Sequence, residues 1–220
     1  MADVIAKSPP GLRERKKQRT RAMLVDAAVK LCIERGYANT TVEQIAAVAE
    51  VSPRTFSRYF PTKDAVMMSV LDDLVHAAVA ELAAIDTQVP PLTALARAHT
   101  RALRGVPSGE ATELTTHRLV LMVNVISSSS ALRLAAAATR LQPLVMAVAA
   151  RMGIEPTNRR VALIVSVWGA ITAAAWGQLV IGPEDYDTCA VIMADRLDLA
   201  FGEFADIAAL EAGTGLPSTV

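Results

Sequence analysis

Apolar residues recur at helical spacing along most of this chain. From Thr20 onward, Met23, Leu24, Ala27, Ala28, Leu31 and Cys32 follow at intervals of three and four, which marks one buried helix face. Gly36 stops that helix as a C-terminal cap. Thr41 is placed to cap a second helix, with Val42, Ile45, Ala46 and Ala49 turned inward. A break follows at Glu50-Val51. Ser52 then caps a third helix and Pro53 takes its first position, where no N–H is needed. Phe56, Tyr59 and Phe60 give this short helix its apolar side. Pro61 ends it, and Thr62 caps a fourth with Asp64 in its first turn.

The same period predicts further helices over 64–85, 92–104, 110–126, 131–152, 157–181 and 187–210. They are separated by Pro, Gly and Ser breaks at 89–91, 105–107, 127–130, 153 and 182–183. No alternating strand and no internal repeat is present. The chain therefore reads as all-α, with about nine helices. Residues 1–12, broken by Pro-Pro-Gly, read as a loose arm, and 211–220 as a flexible tail. Residues 13–65 read as one small N-terminal domain and 66–210 as a second, larger one.

Composition supports helices: 52% of residues are apolar, only 4% are aromatic, and alanine is abundant. The net charge is zero, but its distribution is uneven. Residues 1–65 hold 12 Lys/Arg against 7 Asp/Glu, a net +5, and the remainder carries −5. A basic front end on an acidic body points to an anionic partner for the front end alone. Cys32 and Cys189, the two cysteines, sit among apolar helical residues and read as reduced, buried thiols of a cytoplasmic protein. The polar N-terminus gives no reason to expect a secretion signal. Residues 161–180 carry no formal charge, and their length alone would allow a membrane span. Ser166, Thr172, Gln178 and the many alanines favour a helix buried between other helices, so no membrane is expected.

Helix, tight turn and a second helix opened by Ser-Pro is the helix-turn-helix plan. Its second helix lies in the major groove and presents side chains to base edges. Thr41, Ser52, Pro53, Arg54, Thr55, Ser57 and Arg58 are the candidate contacts around the apolar anchor Phe56. Arginine can donate two bonds to guanine, and threonine offers a methyl and a hydroxyl. Tyr59 can offer its hydroxyl to a phosphate, and Lys63 stands at a helix start where a phosphate is welcome. Residues 13–21 (RERKKQRTR) hold six basic residues and one acid. Lys17, Arg19 and Arg21 are candidates there for phosphate or minor-groove contact, against the plainer reading of a solvated face.

Residues 16–66 closely resemble the DNA-binding domain of the TetR family of bacterial transcriptional regulators. The resemblance runs from Arg21 to Ala28, through Glu34-Arg35-Gly36-Tyr37, Thr40-Thr41-Val42, Ile45-Ala46, Val51-Ser52, Thr55-Phe56 and Tyr59-Phe60 to Pro61 and Lys63. Two positions depart from the family pattern: Glu50 stands where glycine is usual, and Ser57 where an aromatic is common. A left-handed Glu50 carries a strain of about 1 kcal/mol. The resemblance implies a homodimer joined through the last two long helices, where Gly169, Ala170, Ala173, Ala174, Ala175 and Gly177 allow close approach. Such a dimer reads a near-palindromic, double-stranded DNA operator. It also implies an effector pocket in the larger domain and release of DNA when a ligand tilts the fourth helix.

Met67, Leu71, Met122, Asn124, Trp168, Thr172 and Trp176 are the candidate effector contacts, with core packing as the competing reading for the Met and Trp residues. Residues 118–140 and the Trp-bearing helix are similar to the mycofactocin-associated, acyl-CoA-sensing branch of the family, which implies a lipophilic small molecule. His76 follows Asp72 by four residues, but three histidines without a Cys/His cluster predict no metal site. No nucleophile elbow, phosphate loop or paired catalytic carboxylates appear, so neither a cofactor nor an enzyme is expected. The alternatives are a helical, acyl-CoA-like small-molecule carrier or enzyme with an incidental basic N-terminus, and a membrane-anchored protein using 161–180.

Overall fold

A computed structural model describes residues 11–106, 114–128 and 142–213. Among them are nine α-helices, one 3-10 turn and no strand. The helices are α1 (Leu12–Arg35), α2 (Val42–Val48), α3 (Pro53–Tyr59), α4 (Lys63–Ala83), α5 (Pro91–Arg104), α6 (Thr116–Ser128), α7 (Gln142–Met152), α8 (Arg159–Trp176) and α9 (Cys189–Gly213), with a 3-10 turn at Pro183–Asp185 before α9. Residues 1–10 of the expected arm, 110–113 of the helix predicted from 110, 129–130 of the expected break, 131–141 of the helix predicted from 131, and 214–220 of the expected tail lie outside the described residues; the described parts of the break (127–128) and of the tail (211–213) are helical instead, continuing α6 and α9. The chain divides into two units, Met1–Val66 and Met67–Val220.

In the first unit α1 packs on α2 and α2 on α3. Leu24, Ala28, Ile45, Ala46 and Phe56 have no exposed surface there. Burying a side chain such as Phe56 contributes about 2 kcal/mol. The helix starts earlier than its apolar stripe. Residues 12–19 are already helical, because Arg, Lys and Gln are good helix formers without any packing partner. The basic run is therefore part of α1, which begins at Leu12, within the 1–12 stretch that reads as a loose arm.

In the second unit α9 packs against α5, α6 and α8, and α8 also against α5 and α7. Leu95, Leu103, Leu119, Val148, Trp168, Met193 and Leu197 fill its core. A polar rim ties α5 to α9: Thr100 donates to Asp198 at 2.8 Å, and Arg104 reaches Asp195 (3.1 Å) and Asp198 (3.0 Å). The Arg151 guanidinium donates to the carbonyls of Ile85 (2.9 Å), Val89 (2.8 Å) and Asp86, which closes the turn between α4 and α5.

The helix predicted over 157–181 is shorter than its apolar pattern. It ends at Trp176, with the Gly177 N–H on the Ala173 carbonyl at 2.8 Å. Beyond it, α6 takes over the backbone groups. The Asn124 amide donates to the Ile181 carbonyl at 2.9 Å and accepts from the Ile181 N–H at 2.8 Å, while Ser127 donates to the Leu179 carbonyl at 2.7 Å. Among the described helices α8 alone is long and apolar enough to cross a membrane by length and composition. Val161, Val165, Trp168, Ile171 and Ala175 form its buried face, spaced by three and four. Leu163, Ser166, Ala170, Ala173 and Ala174 are exposed on other sides.

Candidate nucleic-acid interface

The turn between α2 and α3 is built by its caps. Thr41 and Gln44 form a reciprocal capping box, with bonds of 3.3 and 3.0 Å. At the other end of α2 the Val51 N–H reaches the Ala46 carbonyl at 2.9 Å and the Glu50 N–H reaches Ala47 at 3.1 Å. That is a Schellman motif, and it puts its C′ residue, Glu50, at φ 54°. Among the described residues Glu50 is the one non-glycine residue with positive φ, and its side chain is exposed. The strained acid that the sequence suggested at this turn is present.

Ser52 then opens α3. Its hydroxyl accepts from the Thr55 N–H at 3.1 Å and shares a hydrogen bond with the Thr55 hydroxyl at 3.0 Å, while Pro53 occupies the first turn. Phe56 points into the core and packs on Phe60, with ring centroids 6.0 Å apart. With Phe56 inward, Arg54, Ser57 and Arg58 are exposed. Arg54 stands one residue after the proline, free of any ion pair to a described side chain. Arg58 lies over the Tyr59 ring, 5.2 Å from its centroid. Ser57 turns its hydroxyl back to the Pro53 carbonyl at 3.1 Å. Arg54 and Arg58 thus project outward, whereas the hydroxyls of Thr41, Ser52 and Ser57 are engaged with the local backbone and that of Thr55 with the Ser52 hydroxyl.

Lys63 is used differently from its expected role at a phosphate. Its ammonium donates to the carbonyls of Tyr37 (2.6 Å) and Thr40 (2.8 Å) and lies 3.9 Å from the centroid of the Tyr37 ring. The Tyr37 hydroxyl donates to Asp64. Burial, and then this bond to Asp64, raises the Tyr37 pKa. The start of α4, capped by Thr62 at the Ala65 N–H (3.1 Å), is thereby tied to the turn after α1. Cys32 lies nearby, and burial pushes its thiol pKa up despite Thr40 and Lys63.

The basic run divides into two faces. Lys17 and Arg21, both singled out from the sequence, line an open cleft together with Arg58 and Tyr59 of α3. Arg13 and Lys16 line it as well. Sequence reasoning passed over these two; Arg13 stands four residues before Lys17 and Lys16 four before Thr20, and that spacing is the signal that would have found them. Arg19 is exposed and does not line the cleft.

The candidate effector residues belong to the second unit and are mostly committed to its interior. Met67, Met122 and Trp168 are buried, and Leu71 is half-buried. Asn124 holds Ile181, Thr172 donates to the Gly169 carbonyl at 3.0 Å, and Trp176 donates to the Met193 carbonyl at 3.0 Å. Trp168 meets a residue that the sequence did not single out for this region, His99. Their rings are 4.7 Å apart, and the indole N–H points at the His99 Nε2 at 3.4 Å. The His99 Nδ1 pairs with the Leu95 carbonyl at 2.9 Å. Burial pushes the pKa of His99 down to about 4. His76 turns its ring nitrogen to the Asp72 carbonyl at 2.7 Å, and no group of three His, Cys, Asp or Glu is arranged for a metal among the described residues.

Two short helices joined by a tight turn, the second with a buried aromatic and outward arginines, define a helix-turn-helix module. Residues 24–70 match the N-terminal domain of the bacterial regulatory proteins of the tetR family. It is similar to the HTH-type transcriptional regulator TcmR of Streptomyces glaucescens, 42% identical over 101 residues, covering 46% of this chain and 45% of the relative. It is also similar to the uncharacterized HTH-type transcriptional regulator YuxN of Bacillus subtilis (strain 168), 36% identical over 50 residues, covering 23% and 17%. The matched segments span less than half of either relative's length. Among solved structures it is similar to Thermus thermophilus FadR, a TetR-family repressor in complex with lauroyl-CoA (TM-score 0.45, 18% identity, 82% of this chain and 91% of that one). RolR in complex with resorcinol is a further neighbour (TM-score 0.43, 18% identity, 86% and 96%).

Proposed function

We propose that this chain is a DNA-binding transcriptional regulator, a cytoplasmic repressor that holds a near-palindromic operator as a homodimer and releases it on binding a lipophilic small molecule. One observation carries the DNA-binding reading. Arg54 and Arg58 stand exposed on a seven-residue helix whose opposite side, Phe56, is locked into the core. Such a helix can enter a major groove with both guanidinium groups forward. The second copy would pack on the exposed small-residue side of α8, at Ala170, Ala173 and Ala174, and on Val191 and Leu199 of α9, which are 49% and 64% exposed. The effector would enter the apolar interior around Met67, Leu71, Met122 and Trp168. The link to DNA would be α4, which carries Lys63 and Asp64 at its start and Met67 and Leu71 one to two turns on.

A gel shift with the DNA upstream of the chain's own gene tests this reading. Specific binding that weakens steeply with salt supports it, because neutralised phosphates release counterions. A helical carrier with an incidental basic end would show no preference for that duplex. A thermal-shift screen with lipophilic compounds and acyl thioesters tests the effector half.

A further inference from the structure

The inward face of α1 changes character along its length. Leu24, Ala27, Ala28 and Leu31 are buried on it. Continued toward the N-terminus at the same spacing of three and four, this face carries Arg21, Thr20, Lys17, Lys16 and Arg13. The helix thus overhangs its own core, and the underside of the overhang is cationic. That underside lines an open cleft of about 1350 Å³ whose other wall is the last turn of α3, at Arg58 and Tyr59. Among the described side chains its lining is Leu12, Thr20, Tyr59 and the cations Arg13, Lys16, Lys17, Arg21 and Arg58. Two of its cations are held by aromatic rings: the Arg21 guanidinium lies 5.6 Å from the Phe60 centroid and that of Arg58 lies 5.2 Å from Tyr59. Arg15 and Arg19, equally exposed, fall on the opposite side of the helix and outside the cleft.

We propose that this cleft seats the phosphodiester strand flanking each operator half-site, so that the chain grips duplex beyond the base pairs that α3 reads. The proposal rests on the DNA-binding reading above. Charge and shape both select this occupant. From Arg13 to Arg21 the helix advances about 12 Å. A DNA strand places a phosphate every ~3.4 Å of axis, so the overhang spans about three of them. The cleft is open rather than enclosed, as a continuous strand requires, and Arg58 and Tyr59 of its lining belong to the helix placed in the groove. A small anion would need an enclosed site.

The test compares two variants of equal charge change in the full chain: Lys16→Gln/Lys17→Gln on the cleft face and Arg15→Gln/Lys30→Gln on the outer surface of α1, away from the cleft. All four residues are exposed, and an unchanged thermal midpoint verifies folding. The probe is the duplex that the unaltered chain protects upstream of its own gene, made with and without base pairs beyond the half-sites. The cleft variant should lose roughly tenfold in affinity on the flanked duplex, with a salt slope shallower by about 2 per protomer. It should match the unaltered chain on the trimmed duplex, and the outer variant should bind both nearly as the unaltered chain does. Equal losses by the two variants, or a cleft-variant loss that persists on the trimmed duplex, would overturn the cleft proposal while leaving DNA binding intact. If the unaltered chain binds neither duplex specifically, the DNA-binding reading itself falls and this proposal goes with it.

Discussion

The ammonium of Lys63 sits 3.9 Å from the centre of the Tyr37 ring, and two of its three N–H groups end on the carbonyls of Tyr37 and Thr40. The first residue of α4 is thereby fastened to the loop that follows α1. Hydrogen bonds to a charged donor contribute about 1.5–3 kcal/mol each, and a cation over an aromatic face adds about 0.5–1 kcal/mol at a partly exposed site. Lys63→Met should therefore lower the unfolding free energy by about 3–4 kcal/mol in a urea titration. An unchanged midpoint would show that the ammonium is not a structural tie.

Glu50 occupies a position that two motifs of this chain treat differently. The Schellman turn after α7 has Gly153 at φ 65°, whereas the one after α2 has Glu50 at φ 54°. Glu50→Gly relieves about 1–2 kcal/mol of left-handed strain, against about 0.5–1 kcal/mol of extra chain entropy in the unfolded state. A net gain of about 0.5 kcal/mol is expected, and Glu50→Val, β-branched at the same φ, should be clearly destabilised. A Glu50→Gly variant less stable than the parent would contradict the strain.

Much of the helix-turn-helix was legible in the sequence, because its signals are local. Thr41, Ser52-Pro53 and Thr62 announce helix starts through their own side chains, and the structure shows each cap formed. What was not legible depends on partners distant in sequence. Nothing near Lys63 announces that carbonyls 23 and 26 residues earlier will take its N–H groups. The end of α8 at Trp176 was hidden for the same reason: the apolar pattern continues to Ile181, but Asn124, 57 residues away, holds that residue out of the helix. The start of α1 was missed because apolar periodicity reports packing, and the overhang from Leu12 packs on nothing apolar.

The Asn124 clamp is itself testable. Asn124→Ala leaves the Ile181 N–H and carbonyl without their partner, at a cost of about 2 kcal/mol. Limited proteolysis should then cut faster within 177–182 than in the unaltered chain. Unchanged cutting and stability would show that the clamp is dispensable.

His99 sets a pH dependence whose sign is fixed by its burial. Its folded pKa of about 4 lies below the ordinary value of 6.5, so between these values the unfolded chain binds more protons than the folded one. Stability contributed by neutral His99 is fully present above pH 6.5 and falls as the pH drops toward 4, by about 1.4 kcal/mol per unit within that window. His99→Gln should flatten this slope in unfolding measurements between pH 6.5 and 5. An identical slope in the variant would assign the acid sensitivity to other groups.

The central claim is that α3 reads duplex DNA through Arg54 and Arg58, and the most direct measurement is fluorescence anisotropy with the labelled duplex from upstream of the chain's own gene. A bidentate arginine contact is worth about 1–3 kcal/mol of base discrimination. Arg54→Ala and Arg58→Ala together should bring the affinity for that duplex down to the level of a scrambled one, while the weak, salt-sensitive binding to scrambled DNA falls by much less. If the unaltered chain shows no preference for its upstream duplex at any salt concentration, or if the double variant retains the full preference, α3 is not the reading element.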